Sequence, residues 1–113
     1  MPQTRPLTTN EGEALTRFKV ALESLLGENL VSLRLFGSRA RGEGTPESDL
    51  DVLVLVRSKD PNLCRRIVDA ALEADLTYDT NLAPTILTLA EFDRNREYYT
   101  PFYRNVEAEG RSL

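Results

Sequence analysis

At 113 residues, with 41% apolar and 28% charged side chains and only six glycines and six prolines, the chain has the composition of one globular domain, expected over residues 1–113, which excludes disordered, fibrous and multi-domain readings. A formal net charge of −4 supplies no global positive field to hold a long nucleic acid by its phosphates. Histidine is absent and Cys64 is the one cysteine, so an internal disulfide and an imidazole or thiolate zinc site are excluded, and any chemistry must run on carboxylates, hydroxyls, arginines and a recruited metal.

The first eight residues, MPQTRPLT, carry two prolines and no periodicity and are expected to form a loose arm. Asn10 with Glu13 has capping-box spacing, and Leu15, Phe18, Val20, Leu22, Leu25 and Leu26 follow on one stripe, predicting an amphipathic helix over 10–26 that stops at Gly27. LVSLRLF, 30–36, alternates as a half-buried strand and runs straight into Gly37-Ser38. Turn residues fill 42–48, and LDVLVLV, 50–56, is apolar on both faces as a central strand would be. Asp60-Pro61 opens a helix expected over 61–75, with Cys64 read as core. NLAPTILTL, 81–89, reads as a third strand that Pro84 confines to an edge or a bulge. Thr88 with Glu91 is a second capping box, and the tail closes on a final helical turn or two ending at Gly110. Tyr98, Tyr99, Phe102 and Tyr103 are expected to pack rather than to serve as a base-stacking platform, with a partner surface as the alternative if exposed. A small mixed sheet backed by helices follows from the order α, β, β, α, β, α, α. There is no signal-peptide pattern and no apolar run of about 18 residues, so the expected setting is cytoplasmic, without a membrane.

Chemistry concentrates in LFGSRARGEGTPESDLDVLVLV, 35–56. Asp49 and Asp51 are i and i+2 at a strand start, so their carboxylates share a face a few ångströms apart. Two such anions push one pKa upward unless a cation compensates both. Hard oxygen donors favour Mg²⁺ or Mn²⁺, which complete their shells with water and phosphate oxygens, so the pair implies a phosphorylated ligand. Gly37 permits close backbone approach, Ser38 offers a hydroxyl and an N–H to a phosphate oxygen, and Arg39 and Arg41 are nearby cationic donors. Taken singly, each feature is commonplace in turns and strand entries. In this order, with a strand on each side of the loop, they read as one phosphate and metal site.

The pattern Gly37-Ser38, ten residues, Asp49-Leu50-Asp51 resembles the signature of the DNA polymerase beta type nucleotidyltransferase superfamily. The full string, together with the tail PFYRNVEAEG, is similar to its small members, the minimal nucleotidyltransferases (MNT). The resemblance implies a polymerase beta-like α/β (α+β) fold and transfer of a nucleoside monophosphate, AMP from ATP in the first instance, to an acceptor hydroxyl with release of pyrophosphate. It implies that Gly37 and Ser38 hold the triphosphate of the NTP and that Asp49 and Asp51 bind the Mg²⁺ or Mn²⁺ ions. A third carboxylate usually stands on a neighbouring strand; the aligned position is Asn81, with Asp79 two residues earlier and on the same face if the strand extends that far. The resemblance further implies a partner protein, an all-helical HEPN protein, in a toxin–antitoxin pair of which this histidine-free chain would be the antitoxin. The alternative reading is a non-catalytic nucleotide- or metal-binding module that neutralises its partner by direct binding. Oligomeric state is left open.

Overall fold

Antiparallel strands β1 (Leu30–Phe36) and β2 (Leu50–Val56) form the centre of a four-stranded sheet in a computed structural model of the chain, which describes residues 7–37, 39–40 and 49–113. Strand β3 (Leu82–Thr88) runs parallel to β2. A two-residue strand, β4 (Arg111–Ser112), pairs antiparallel with β1 at Leu35 and Arg34. The spatial order β3-β2-β1-β4 leaves β3 at an edge, which accommodates Pro84 because an edge strand can lack a donor on its open side.

After Asp51, strand β2 is apolar to its end because helices cover both of its faces. On one face, α1 (Thr9–Leu26) and α2 (Pro61–Tyr78) bury Phe18, Leu22, Ile67 and Ala71 against Leu33, Leu35, Val52 and Val54. On the other, α3 (Leu89–Glu97) and α4 (Pro101–Glu109) lay Phe92 and Val106 on Leu53 and Leu55. Each fully buried Leu, Ile or Phe contributes about 1.5–3 kcal/mol, so the alternation along β2 fixes its register on both sides at once. Among the described residues, no helix is long and apolar enough to cross a membrane.

Both central strands and the Thr88–Glu91 capping box form where the pattern places them. Helix α1 starts earlier than expected. Its capping box is Thr8–Glu11, with the Glu11 N–H donating to Thr8 Oγ1 at 3.1 Å and the Thr8 N–H donating to Glu11 Oε1 at 2.8 Å, whereas Asn10 donates to the Tyr78 carbonyl at 3.2 Å. Of the expected arm, residues 1–6 lie outside the described residues, Leu7 packs against the core and Thr8 is the cap. Val20 departs from the predicted stripe and is 59% exposed, because two residues beyond Phe18 is about 200° around the helix. Helix α2 continues to Tyr78, past the expected end at 75. Cys64 on it is half-buried with a free thiol rather than fully in the core. The expected packing of four aromatics divides: Phe102 and Tyr103 join the lower core, while Tyr98 and Tyr99 are exposed.

Candidate functional site

The site forms where β1 ends and β2 begins. Phe36 and Asp51 are direct cross-strand partners, so the chain leaves β1 at Gly37 beside the second residue of β2. Opposed residues of an antiparallel pair share a face, and Phe36 lies with Leu53 and Leu55 beneath α3 and α4. Asp51 therefore projects to that face and away from α1 and α2.

Gly37 has φ +80°, a left-handed conformation that side chains disfavour. A β-carbon at this position would also overlap Oδ2 of Asp51. Glycine is thus demanded twice, by the turn and by the carboxylate in front of it. The Ala40 N–H donates to the Gly37 carbonyl at 3.1 Å, closing the turn. Ser38 and Arg41, both expected to bind nucleotide, lie outside the described residues.

Asp51 is half-buried, and its pKa is raised above the ordinary carboxylate value, first by burial and then by the charge of Asp49. Both causes penalise the anion, and a bound cation would relieve both. Asp49 itself is exposed. Two carboxylates without imidazole or thiolate suit a hard cation of the Mg²⁺ kind, which takes one or two protein carboxylates and fills its other positions with water and phosphate. No cluster of three or more acidic, histidine or cysteine ligands occurs among the described residues.

Among the described residues, the sheet register puts no acid on β3 beside Asp51. Asp51 pairs with Ala83 on β3 and Leu50 with Leu82, so the β3 residue directly beside Asp51 has no ligating group. Asn81 flanks Asp49, and its carbonyl accepts the Leu50 N–H at 2.8 Å. Asp79 is not on the strand. It is the C-cap of α2, left-handed at φ 55° and ψ 56°, with its N–H on the Asp75 carbonyl. The shared strand face expected for Asp79 and Asn81 does not exist, because β3 begins only at Leu82 and Asp is one of the few residues able to end a helix in this conformation.

Arg39 is also placed differently from expectation. It is 2% exposed and turned inward onto Glu11, itself 5% exposed, with Nη2 of Arg39 donating to Oε1 of Glu11. The same Glu11 oxygen accepts the Thr8 N–H of the capping box. Arg39 therefore clamps the Gly37 turn to the first turn of α1 instead of facing a phosphate. The capping-box glutamate was legible in sequence; its partner 28 residues away was not.

A groove of about 740 Å³ lies between α1 and α2, lined by Thr9, Gly12, Thr16, Val20, Ala70 and Tyr78 among others. None of the Gly37 or Asp49–Asp51 residues lines it, so volume and chemistry point to different places. Converging carboxylates, a required glycine and a perturbed pKa outweigh volume here.

The profile of the nucleotidyltransferase domain family matches residues 15–111. Two relatives from Methanocaldococcus jannaschii bear names that make them candidate protein adenylyltransferases. One, MJ0604, is 34% identical over 92% of this chain and 98% of its own length. The other, MJ0141, is 38% identical over 66% of this chain and 76% of its own. Among solved structures, a candidate minimal nucleotidyltransferase superposes with a TM-score of 0.54 at 23% identity, covering 90% of this chain and 94% of the other. A mutant of the toxin–antitoxin pair MntA–HpeT gives a TM-score of 0.56 at 21% identity over 88% of this chain and 70% of the other. These structures share the α+β polymerase beta-like fold predicted for the chain.

Proposed function

The chain belongs to the nucleotidyltransferase domain family, and from that premise we propose that it transfers AMP from ATP to a hydroxyl group of a partner protein. The observation that carries the reading is the apposition of Gly37 and Asp51, where a bare backbone faces a partly desolvated carboxylate across a space that no side chain could share. In this reading the triphosphate oxygens approach the bare backbone at Gly37-Ser38 while Asp49 and Asp51 hold Mg²⁺ or Mn²⁺. The cation would supply the positive charge that offsets the phosphate oxygens as charge shifts onto pyrophosphate. The acceptor hydroxyl gives its proton to water or to a carboxylate of the site, and its oxygen bonds to the α-phosphorus as the bond to the bridging oxygen breaks and pyrophosphate leaves. The protein contributes orientation and fixed charge, consistent with a chain that has no histidine.

The names of the M. jannaschii relatives support a protein acceptor, and the MntA–HpeT fold similarity supports a toxin–antitoxin setting. In this reading the partner is an all-helical HEPN-type toxin, the chain is its antitoxin, and the pair acts in the cytoplasm. Purified chain, partner, ATP and Mg²⁺ are expected to yield partner molecules heavier by one AMP, read by intact-protein mass spectrometry. An unmodified partner at saturating ATP would remove the transferase reading.

A second reading rests on Ala83, Asn81 and the helix-capping role of Asp79: with no acid beside Asp51 on β3, the chain binds nucleotide and neutralises its partner by covering it. Changing Asp49 and Asp51 together to Asn separates the two. Neutralisation that survives the double change belongs to masking, and neutralisation lost with it belongs to transfer.

A further inference from the structure

Tyr98 and Tyr99 join α3 to α4 and are 76% and 65% exposed. Tyr99 has φ 48°, a left-handed conformation unfavourable for a bulky aromatic residue and relaxed only for glycine or, partly, Asn and Asp. The ring is mostly in solvent, so burial does little to offset that cost. Strain at a described residue directs attention to function when something nearby needs the side chain held there.

The location supplies that need. Phe102, three residues after Tyr99, meets Phe36 edge to face with centroids 5.4 Å apart. Phe36 is the cross-strand partner of Asp51 and immediately precedes Gly37. The Tyr98-Tyr99 turn thus stands at the same end of the sheet as the carboxylates and over the same face. The ring of Tyr99 is fixed from its own side of the site: Arg104 places its guanidinium carbon 5.6 Å from the ring centroid, and the Tyr103 ring is tilted against it at 6.1 Å. A flat aromatic surface backed by a cation and left open to solvent is suited to stacking another π-system.

We infer that Tyr99, supported by Arg104 and Tyr103, is the surface on which the base of the nucleoside triphosphate stacks. A triphosphate seated at Gly37 and the two aspartates has to lay its base along the protein away from them, and the α3–α4 turn is the exposed aromatic surface at that end. Stacking of this kind tolerates any base, because every base has a π-face, and favours the larger purines. The inference rests on the nucleotide site proposed above.

The test is calorimetric titration of the full chain with ATP and, separately, with inorganic tripolyphosphate, both with Mg²⁺, using wild type, Tyr99→Ala and Tyr99→Phe. Stacking predicts that Tyr99→Ala weakens ATP about tenfold, leaves tripolyphosphate unchanged, and is rescued by Tyr99→Phe. The chain has no tryptophan, so loss of tyrosine emission on ATP addition gives a second reading that should disappear in Tyr99→Ala. Equal ATP affinity in wild type and Tyr99→Ala would overturn the base platform while leaving the phosphate site standing. Equal weakening of ATP and tripolyphosphate would also overturn it, since the residue would then act through the fold. A wild-type chain that binds neither ligand would remove the nucleotide site itself, and the platform with it.

Discussion

Gly37 and Asp51 face each other so closely that the glycine cannot acquire a β-carbon without displacing the carboxylate. Gly37 directly follows β1, Asp51 lies in β2, and the two are 14 positions apart in sequence. Antiparallel pairing of Phe36 with Asp51 sets their separation, so the geometry of the site is inherited from the register of the two central strands.

Gly37→Ala is the direct probe of that apposition. The left-handed backbone alone costs about 1–2 kcal/mol, and the overlap with Asp51 adds to it. Chemical denaturation should show a loss of at least that size. ATP-dependent transfer should fall on the order of a hundredfold, the scale of a 1 Å misplacement at a reacting centre. A variant that retains both stability and transfer would show that the glycine is not needed for either.

The Arg39–Glu11 pair should behave as a buried ion pair rather than as part of a phosphate site. Arg39→Ala leaves Glu11 charged in the interior and is expected to cost about 3–5 kcal/mol. Arg39→Met combined with Glu11→Gln removes both charges and should recover most of that loss in urea denaturation. If Arg39→Ala is as stable as wild type but has lost ATP binding, the guanidinium serves the ligand and not the fold.

Asp51 makes stability depend on pH in a definite direction. Its folded pKa lies above the ordinary carboxylate value, so between those two values the folded state retains a proton that the unfolded state has released. Stability without metal therefore falls as pH rises through that window, and the contribution is fully lost above the raised pKa. Asp51→Asn should flatten this segment of the profile and raise Tm at neutral pH in metal-free buffer. Mg²⁺ should raise the Tm of wild type and leave that of Asp51→Asn nearly unchanged. A wild-type Tm that is level across the acid range and indifferent to Mg²⁺ would contradict the assignment.

Supplying the missing acid tests what limits the chemistry. Ala83→Asp puts a carboxylate directly beside Asp51 in the parallel register, and Asn81→Asp puts one beside Asp49. At least one is expected to raise the single-turnover transfer rate about tenfold or more with Mg²⁺ saturating, below the usual range for a positioned acid or base. Both should lower metal-free stability, since a third anion adds to the repulsion already acting on Asp51. Unchanged rates in both variants would mean that two carboxylates suffice.

Much of this molecule was legible as pattern. The alternation of LVSLRLF and the unbroken apolar run after Asp51 located β1 and β2, because side chains of a strand point alternately to two faces and β2 has a core on each. The Thr88–Glu91 cap was legible for the same local reason: both of its hydrogen bonds close within three residues. At the start of α1, two overlapping patterns competed, Thr8–Glu11 and Asn10–Glu13. The winner has a glutamate that also receives buried Arg39, a contact from outside the window in which helix ends are read. Strand β4 was invisible because Arg111 and Ser112 carry no apolar alternation and are a strand only by pairing with β1.

The sequence by itself determined that a glycine turn follows one strand and that two carboxylates stand at i and i+2 at the start of the next, donors of the kind that suit a hard cation. These follow from bonds and periodicities spanning a few residues. Tertiary structure alone decided that Gly37 touches Asp51, that Arg39 turns inward, that Ala83 rather than an acid stands beside Asp51, and that Tyr99 comes to the same end of the sheet. Each of those depends on strand register or helix packing between distant segments, where a shift of one residue would reverse every face, and no local pattern carries that information.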